Sequence, residues 1–289
     1  MNKKIAVVGS INADLVTRCS RFPIPGETLI GEDFSVFPGG KGANQAVACA
    51  KMGADVFMIG CIGNDANGRF LLDNFLEQSV DIKNVEVLSD ISSGVAPIFI
   101  AENDNMIVVV PGANAKVSPQ VVEKASEVLL HSNVVLLQLE IPMETVRFTA
   151  ELCFKNRITV ILNPAPAQKL TSELIDYCTY ITPNEIEITQ IFNDNFENVL
   201  KRFPNKIIMT AGADGVYYHD GKELIHIEAS KVEVVDTTGA GDTFNGALAV
   251  GLADGMILSD AIKFASKAAA CSIKKLGAQT AMPTREEIQ

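Results

Sequence analysis

Apolar residues in this chain fall in short unbroken runs separated by stretches with helical spacing. The runs are 4 to 9 (KIAVVG), 55 to 60 (DVFMIG), 133 to 140 (NVVLLQLE), 158 to 163 (ITVILN), 180 to 183 (YITP) and 206 to 211 (KIIMTA). Continuous runs of this kind suit strands buried on both faces. Between them, 42 to 52, 66 to 78, 118 to 131, 143 to 155, 185 to 193 and 196 to 203 read as helices, and helices over 240 to 254 and 259 to 275 follow near the end. This order predicts an α/β fold with a mostly parallel central sheet, helices on both faces, and ligands at the carboxyl ends of the strands.

Two stretches break the alternation, 14 to 37 and 93 to 110. The second reads as a hairpin of β-branched runs turning at ENDN, and neither has a helix beside it. They predict a small β-sheet lid (14-37 and 93-110) inserted in a large α/β nucleotide- and substrate-binding domain (1-13, 38-92 and 111-289). Such a sheet covers a site or pairs with another chain through its apolar face. GVYYHDGKELIHI, after residue 212, predicts another hairpin around Asp220-Gly221 and an antiparallel edge. There is no internal repeat and no low-complexity linker.

With 289 residues, 47% of them hydrophobic, the chain can bury a large core. Its 24 Lys and Arg against 35 Asp and Glu argue against a nucleic-acid partner, because phosphate backbones are held by clustered basic residues. An anionic ligand must then be held locally, by amides, a few cations or a metal. The six cysteines include no CxxC pair and no Cys/His cluster, which excludes the zinc and thioredoxin readings and suits small buried thiols in a reducing cytosol. The apolar run after MNKK is too short for a signal peptide, and no run approaches the ~18 residues of a membrane span. A cytoplasmic protein with no membrane partner is expected. His131, His219 and His226 lie outside every motif, and Met52 and Met58 read as core.

The stretch VDTTGAGDTFNGAL, 235 to 248, places Gly239, Ala240 and Gly241 where a helix starts, so the unpaired amides of its first turn converge on one spot, and Asp242 lies beside it. In phosphoryl transfer such amides stabilise charge on the moving group while an aspartate deprotonates the incoming hydroxyl. A tight turn followed by a carboxylate that favours the helix dipole fits the same residues. FPGGKGANQA, from 37, combines Gly39, Gly40 and Gly42, which permit close backbone approach, with the cation of Lys41 and the amide of Asn44. Tight helix packing explains the alanines that follow but not that combination. Asn12 and Asp14, two apart in GSINADL, project to one side of an extended segment and suit vicinal hydroxyls; a turn fits them as well. A P-loop is excluded, since Lys41 precedes Gly42, and the dinucleotide fingerprint fails both at Gly9 and at Gly239, where Phe244 takes the last glycine position.

In combination GSINAD, GGKGANQA, NPAPA (163 to 167), TPNEIE (182 to 187), TAGADG (210 to 215) and DTTGAGDTFNGA resemble the ribokinases of the PfkB carbohydrate kinase family, in order and over nearly the whole chain. The resemblance implies a ribokinase-like fold and transfer of the γ-phosphoryl group of MgATP to the 5-hydroxyl of D-ribose. It implies Asp242 as base, an anion hole from Gly239, Ala240 and Gly241, and ribose contacts from Asn12, Asp14, Gly39, Gly40, Lys41, Asn44, Glu140 and Asp242. It puts ATP against Asn184, Thr210, Ala211, Gly212, Ala213, Asp214, Gly215, Gly241 and Ser266, and places Asn184 and Glu187 near Mg²⁺. It further implies a K⁺ site at Asp236, Thr238, Ser272, Lys275, Gly277 and Ala281, and a homodimer formed through the lid.

Three features depart from the resemblance. Ala281 stands where ribokinases commonly have serine, which removes one hydroxyl from the cation site. The 188 to 205 region is shorter than usual, and the final TREEIQ ends where relatives often carry a further short helix. Kinases for fructose, 2-deoxyribose, keto-deoxy sugars or nucleosides share the anion hole, and a sugar-binding regulator without catalysis is the alternative outside the class.

Overall fold

The computed structural model describes residues 3 to 102 and 104 to 288; Met1, Asn2, Asn103 of the ENDN turn and Gln289 lie outside them. Its strands are β1 (Lys4–Val8), β2 (Asn12–Arg18), β3 (Asp33–Gly39), β4 (Asp55–Gly63), β5 (Val80–Leu88), β6 (Gly94–Ala101), β7 (Asp104–Ile107), β8 (Val134–Gln138), β9 (Thr159–Asn163), β10 (Tyr180–Ile181), β11 (Ile208–Thr210), β12 (Val216–His219) and β13 (Leu224–Ile227). The central sheet is wholly parallel, in the order β10-β9-β8-β1-β4-β5.

Strand β1 shows why the apolar runs are unbroken. Ile5 and Val7 enter one buried cluster, under the Lys41–Lys51, Ala240–Ala253 and Leu258–Ser272 helices. Ala6 and Val8 enter the other, under the Met143–Lys155, Glu185–Phe192 and Phe196–Arg202 helices. All four residues are fully buried, so a polar residue at any of them would sit in a core. Met52 and Met58 are core residues, as expected. All six cysteines are free, and Cys49, Cys61, Cys153 and Cys178 are buried.

The structure corrects the expected elements in four places. Strand β5 forms one edge of the sheet, although its sequence VDIKNVEVL alternates with polar residues and lacks an apolar run; an edge strand is only half covered. The 118 to 131 helix is two pieces, Pro119–Lys124 and Ser126–Leu130, interrupted where Ala125 turns to φ −94°, ψ 8°. A six-residue helix, Ser172–Tyr177, is too short to show a period. Strand β11 belongs to a separate antiparallel sheet with β12 and β13, tied to the central sheet by bridges at Ile181/Ile207 and Asn184/Thr210. The hairpin around Asp220-Gly221 forms as expected.

A four-stranded sheet, β3-β2-β6-β7, stands apart from the central one. It begins at Asn12, so Asn12 and Asp14 both lie on β2. Among the described residues no helix is long and apolar enough to cross a membrane.

Candidate active site

Two glycines bring the Lys41–Lys51 helix against the end of β1. Gly40, the N-cap, has φ +88°, and a Cβ on Gly42 would lie 2.6 Å from the Ser10 amide nitrogen. Gly40 offers no side chain to cap the helix, and Glu140, just past β8, does so from a distance. Its Oε2 accepts from the Lys41 amide at 3.0 Å and from Ser10 Oγ at 2.5 Å, while Ser10 Oγ accepts from the Gly42 amide at 3.2 Å.

The Ala240–Ala253 helix packs against this first helix through small residues. A Cβ on Gly246 would lie 2.5 Å from the Ala48 Cβ, so the two backbones meet closely and their first turns share one space. There Asp242, 7% exposed, accepts from Asn44 Nδ2 at 2.9 Å and from Gln45 Nε2 at 3.0 Å. Burial raises its pKa, against the opposing pull of Lys41 and of the two amides; Glu140 adds to the rise. Lys41 is raised in turn: burial alone would lower it, but Asp242, Glu140 and Glu187 outweigh that. Asp242 and Lys41 thus act on each other's charge, each favouring the ionised form of the other.

Gly239, φ +75°, is the N-cap of the Asp242 helix. The Ala240 amide donates to Thr237 O at 3.2 Å, whereas the Gly241 and Asp242 amides find no hydrogen-bond partner among the described residues. A Cβ on Gly241 would meet nothing within 4 Å. Of the residues expected to form the anion hole, Gly239, Ala240 and Gly241, Ala240 has its amide engaged within the turn.

Asp14 on β2 reaches the same acidic cluster. Its pKa is pushed up to about 7, first by burial and then by Glu140 and Asp242. It lies directly over Gly39 of β3, where a Cβ would sit 2.2 Å from Oδ2. Asn12, 3% exposed, accepts at Oδ1 from Asn114 Nδ2 at 2.7 Å, and Asn114 Oδ1 accepts from the Ile11 amide at 2.9 Å.

Asn184 and Glu187 form a capping box: the Glu187 amide donates to Asn184 Oδ1 and the Asn184 amide to Glu187 Oε2, both at 2.8 Å. Burial raises the Glu187 pKa, opposed by the Asn184 amide and Lys41 and helped by Asp242. Thr210 lies beside this box, its amide donating to Pro183 O at 3.0 Å. Ala211, Gly212, Ala213, Asp214 and Gly215 continue as a 3₁₀ turn. Asp214 anchors that turn, its Oδ2 accepting from Tyr217 and its carbonyl lying 2.6 Å from His226 Nε2. Those two rings stack at 4.2 Å, so His226 props this loop.

Asp236 joins two loops. Its Oδ1 accepts from the Thr238 amide at 2.9 Å and from Thr238 Oγ1 at 2.6 Å, and its Oδ2 from the Gly277 amide at 2.8 Å. Burial alone would raise its pKa, but these donors lower it. The side chains of three residues expected at the cation do not join this cluster. Ser272 Oγ donates to Ala269 O at 2.8 Å, Lys275 pairs with Glu287 at 2.9 Å, and Ala281 is a buried methyl. Ser266 Oγ is buried without a hydrogen-bond partner.

The residues absent from the expected set are amides and one hydroxyl: Gln45, Gln138, Asn163, Gln279, Asn114 and Ser10. Gln45 and Gln138 are fully buried. A glutamine facing inward on an alanine-rich helix was the only local sign.

The pfkB family carbohydrate kinase profile matches residues 2–285. The chain is 48% identical over 288 residues to the ribokinase of Lactococcus lactis subsp. lactis, covering 99% of this chain and 96% of that one. It is 45% identical over 288 residues to the ribokinase of Bacillus subtilis, covering 99% and 98%. The solved Arabidopsis thaliana ribokinase complexed with ribose and ATP superposes with a TM-score of 0.92 at 31% identity, over 100% of this chain and 98% of that one. On these matches and this fold, the chain belongs to the pfkB family of carbohydrate kinases.

Proposed function

We propose that this chain is a ribokinase, phosphorylating D-ribose at its 5-hydroxyl with ATP. The observation that carries the chemistry is Asp242, buried between two amide donors at the start of a helix whose Gly241 and Asp242 amides have no hydrogen-bond partner among the described residues. Asp242 takes the proton of the 5-hydroxyl as its oxygen bonds to the γ-phosphorus. The bond from that phosphorus to the bridging oxygen breaks, and ADP leaves with the electron pair. The Gly241 and Asp242 amides and Lys41 meet the charge on the transferring group. Asn12, Asp14, Gly39, Gly40, Lys41, Asn44 and Glu140 hold the sugar, and the Thr210 to Gly215 loop and Ser266 hold the nucleotide. The orphaned Ser266 hydroxyl supports this last contact.

Glu187 suits Mg²⁺, because its Oε1 accepts no hydrogen bond among the described residues while Oε2 is used by Asn184. Asn184 would assist it. The ion would neutralise phosphate charge. Asp236 and the loops it joins at Thr238 and Gly277 would hold a K⁺, with backbone oxygens near Ser272, Lys275 and Ala281 and one hydroxyl fewer than a serine at 281 would supply.

The four-stranded sheet acts as lid and dimer surface. Phe34, Thr17, Phe99 and Met106 pair across all four strands and so share the face opposite Asp14; Phe34 is 60% and Met106 56% exposed. The free thiols fit a cytoplasmic setting.

The test is ADP release with MgATP over ribose, 2-deoxyribose, fructose, 2-keto-3-deoxygluconate, adenosine and no sugar, in K⁺ and, after desalting, in Na⁺. Ribose is expected to turn over fastest, and faster in K⁺. A higher rate with another acceptor would overturn the sugar assignment, equal rates in both salts the cation site, and silence on every acceptor the kinase reading.

A further inference from the structure

A carboxylate accepts hydrogen bonds and donates none, so amides that touch Asp242 must present their N–H ends. Asn44 and Gln45 do so from adjacent positions on one helix. Each then carries its carbonyl oxygen on the far side, where it needs a donor. Gln279 Nε2 donates to Asn44 Oδ1 at 3.0 Å, and Gln138 Nε2 donates to Gln45 Oε1 at 2.6 Å. Gln279 is itself held by Asn74 Nδ2, which donates to its Oε1 at 2.9 Å. Gln138 and Gln279 are 0% and 5% exposed.

A second observation concerns Gln138. Its Oε1 is buried with no partner, pressed over Gly9 where a Cβ would come within 2.1 Å. Leaving a buried carbonyl unpaired is unfavourable, and turning the amide over would set two carbonyl oxygens against each other at Gln45. Gln138 is thus kept in the one orientation that serves Gln45.

We infer that Gln279 and Gln138 are positioning residues, each locking one of the two amides that hold the Asp242 carboxylate. The inference rests on the reading of Asp242 as the base. Gln45 Nε2 also donates to Asn163 Oδ1 at 3.2 Å; without the lock on its oxygen Gln45, like Asn44, is freer to turn and offer Asp242 a carbonyl oxygen instead of N–H. The charged groups that face Asp242 are Lys41 on the amides' own helix, Glu140 after β8, Asp14 on β2 and Glu187 on the Glu185–Phe192 helix. None of them is changed by substitution at 138 or 279.

Gln279→Met and Gln138→Met keep the length of the side chain and remove the donor. Each is expected to lower kcat about 10- to 100-fold, as small displacements of a reacting group do, with the KM for ATP little changed. The acid limb of kcat/KM for ribose should move to higher pH, because an amide bond favours the ionised carboxylate. In an Asp242→Asn background neither substitution should lower the residual rate further. Parent kinetics in both variants would overturn the inference, as would a loss with an unmoved acid limb that persists in the Asp242→Asn background. Asp242→Asn itself is expected to lose about 10²–10⁴-fold in kcat; a parent-like rate there would instead overturn the base reading.

Discussion

Asp14 is a residue whose proposed binding role and whose folding role oppose each other. Burial, Glu140 and Asp242 raise its pKa to about 7, from an ordinary 3.8. The folded chain therefore binds this proton more tightly than the unfolded chain. Stability from it is complete below the ordinary value and is lost as pH rises through about 7. Asp14→Asn removes the titration, so its Tm relative to the parent should be more favourable at pH 8 than at pH 5, by about 3 °C. The same variant should raise the KM for ribose roughly tenfold, as the loss of a charged hydrogen-bond partner does. Equal Tm differences at both pH values would show that Asp14 is not titrating in this window, and an unchanged KM would remove it from the sugar site.

At the scale of elements, two glycines separate packing from chemistry. Gly42 is needed by the fold, since a Cβ there meets Ser10 and Gly9 backbone at 2.6 and 2.7 Å. Gly42→Ala should therefore cost on the order of 1–3 kcal/mol in stability. Gly241 meets nothing, and its replacement by alanine should leave Tm unchanged or slightly raised, worth about 0.4–1 kcal/mol, while kcat falls. Full activity in a well-folded Gly241→Ala protein would show that the space before this turn is not used. The runs that mark β1, β4, β8 and β9 were legible because both faces of each strand are covered. Strand β5 was not, because an edge strand alternates like a solvated segment. Asp242, Lys41 and Asn44 were legible from glycines and charges gathered in short motifs. Gln138 and Gln279 were not, since they meet their amide partners across 93 and 235 positions and a lone glutamine carries no chemical signal.

For the whole molecule, the proposed dimer rests on the four-stranded sheet. Its far face keeps Phe34 and Met106 more than half exposed, beside an exposed run from Ile107 to Val110. Phe34→Asp combined with Met106→Asp should convert a dimer to a monomer in sedimentation velocity, without loss of helical signal. A parent that sediments as a monomer at micromolar concentration would remove the dimer reading. The separation of this sheet was legible as two stretches without helices. Its junction with the large domain was not, because Asn12 belongs to a strand of the small sheet while its neighbour Ile11 is core.

Asp14 lies over Gly39 on the small sheet, whereas Asp242 and its amides ride on two helices joined through Gly246 and Ala48. One part of the proposed sugar site thus lies on the small sheet, while its other part and the proposed base share the two helices. On the proposed reading, changes in β2 and β3 would alter one set of sugar contacts while leaving Asp242 and its amides untouched. A lineage with such a site would retune part of its diet by editing one small sheet.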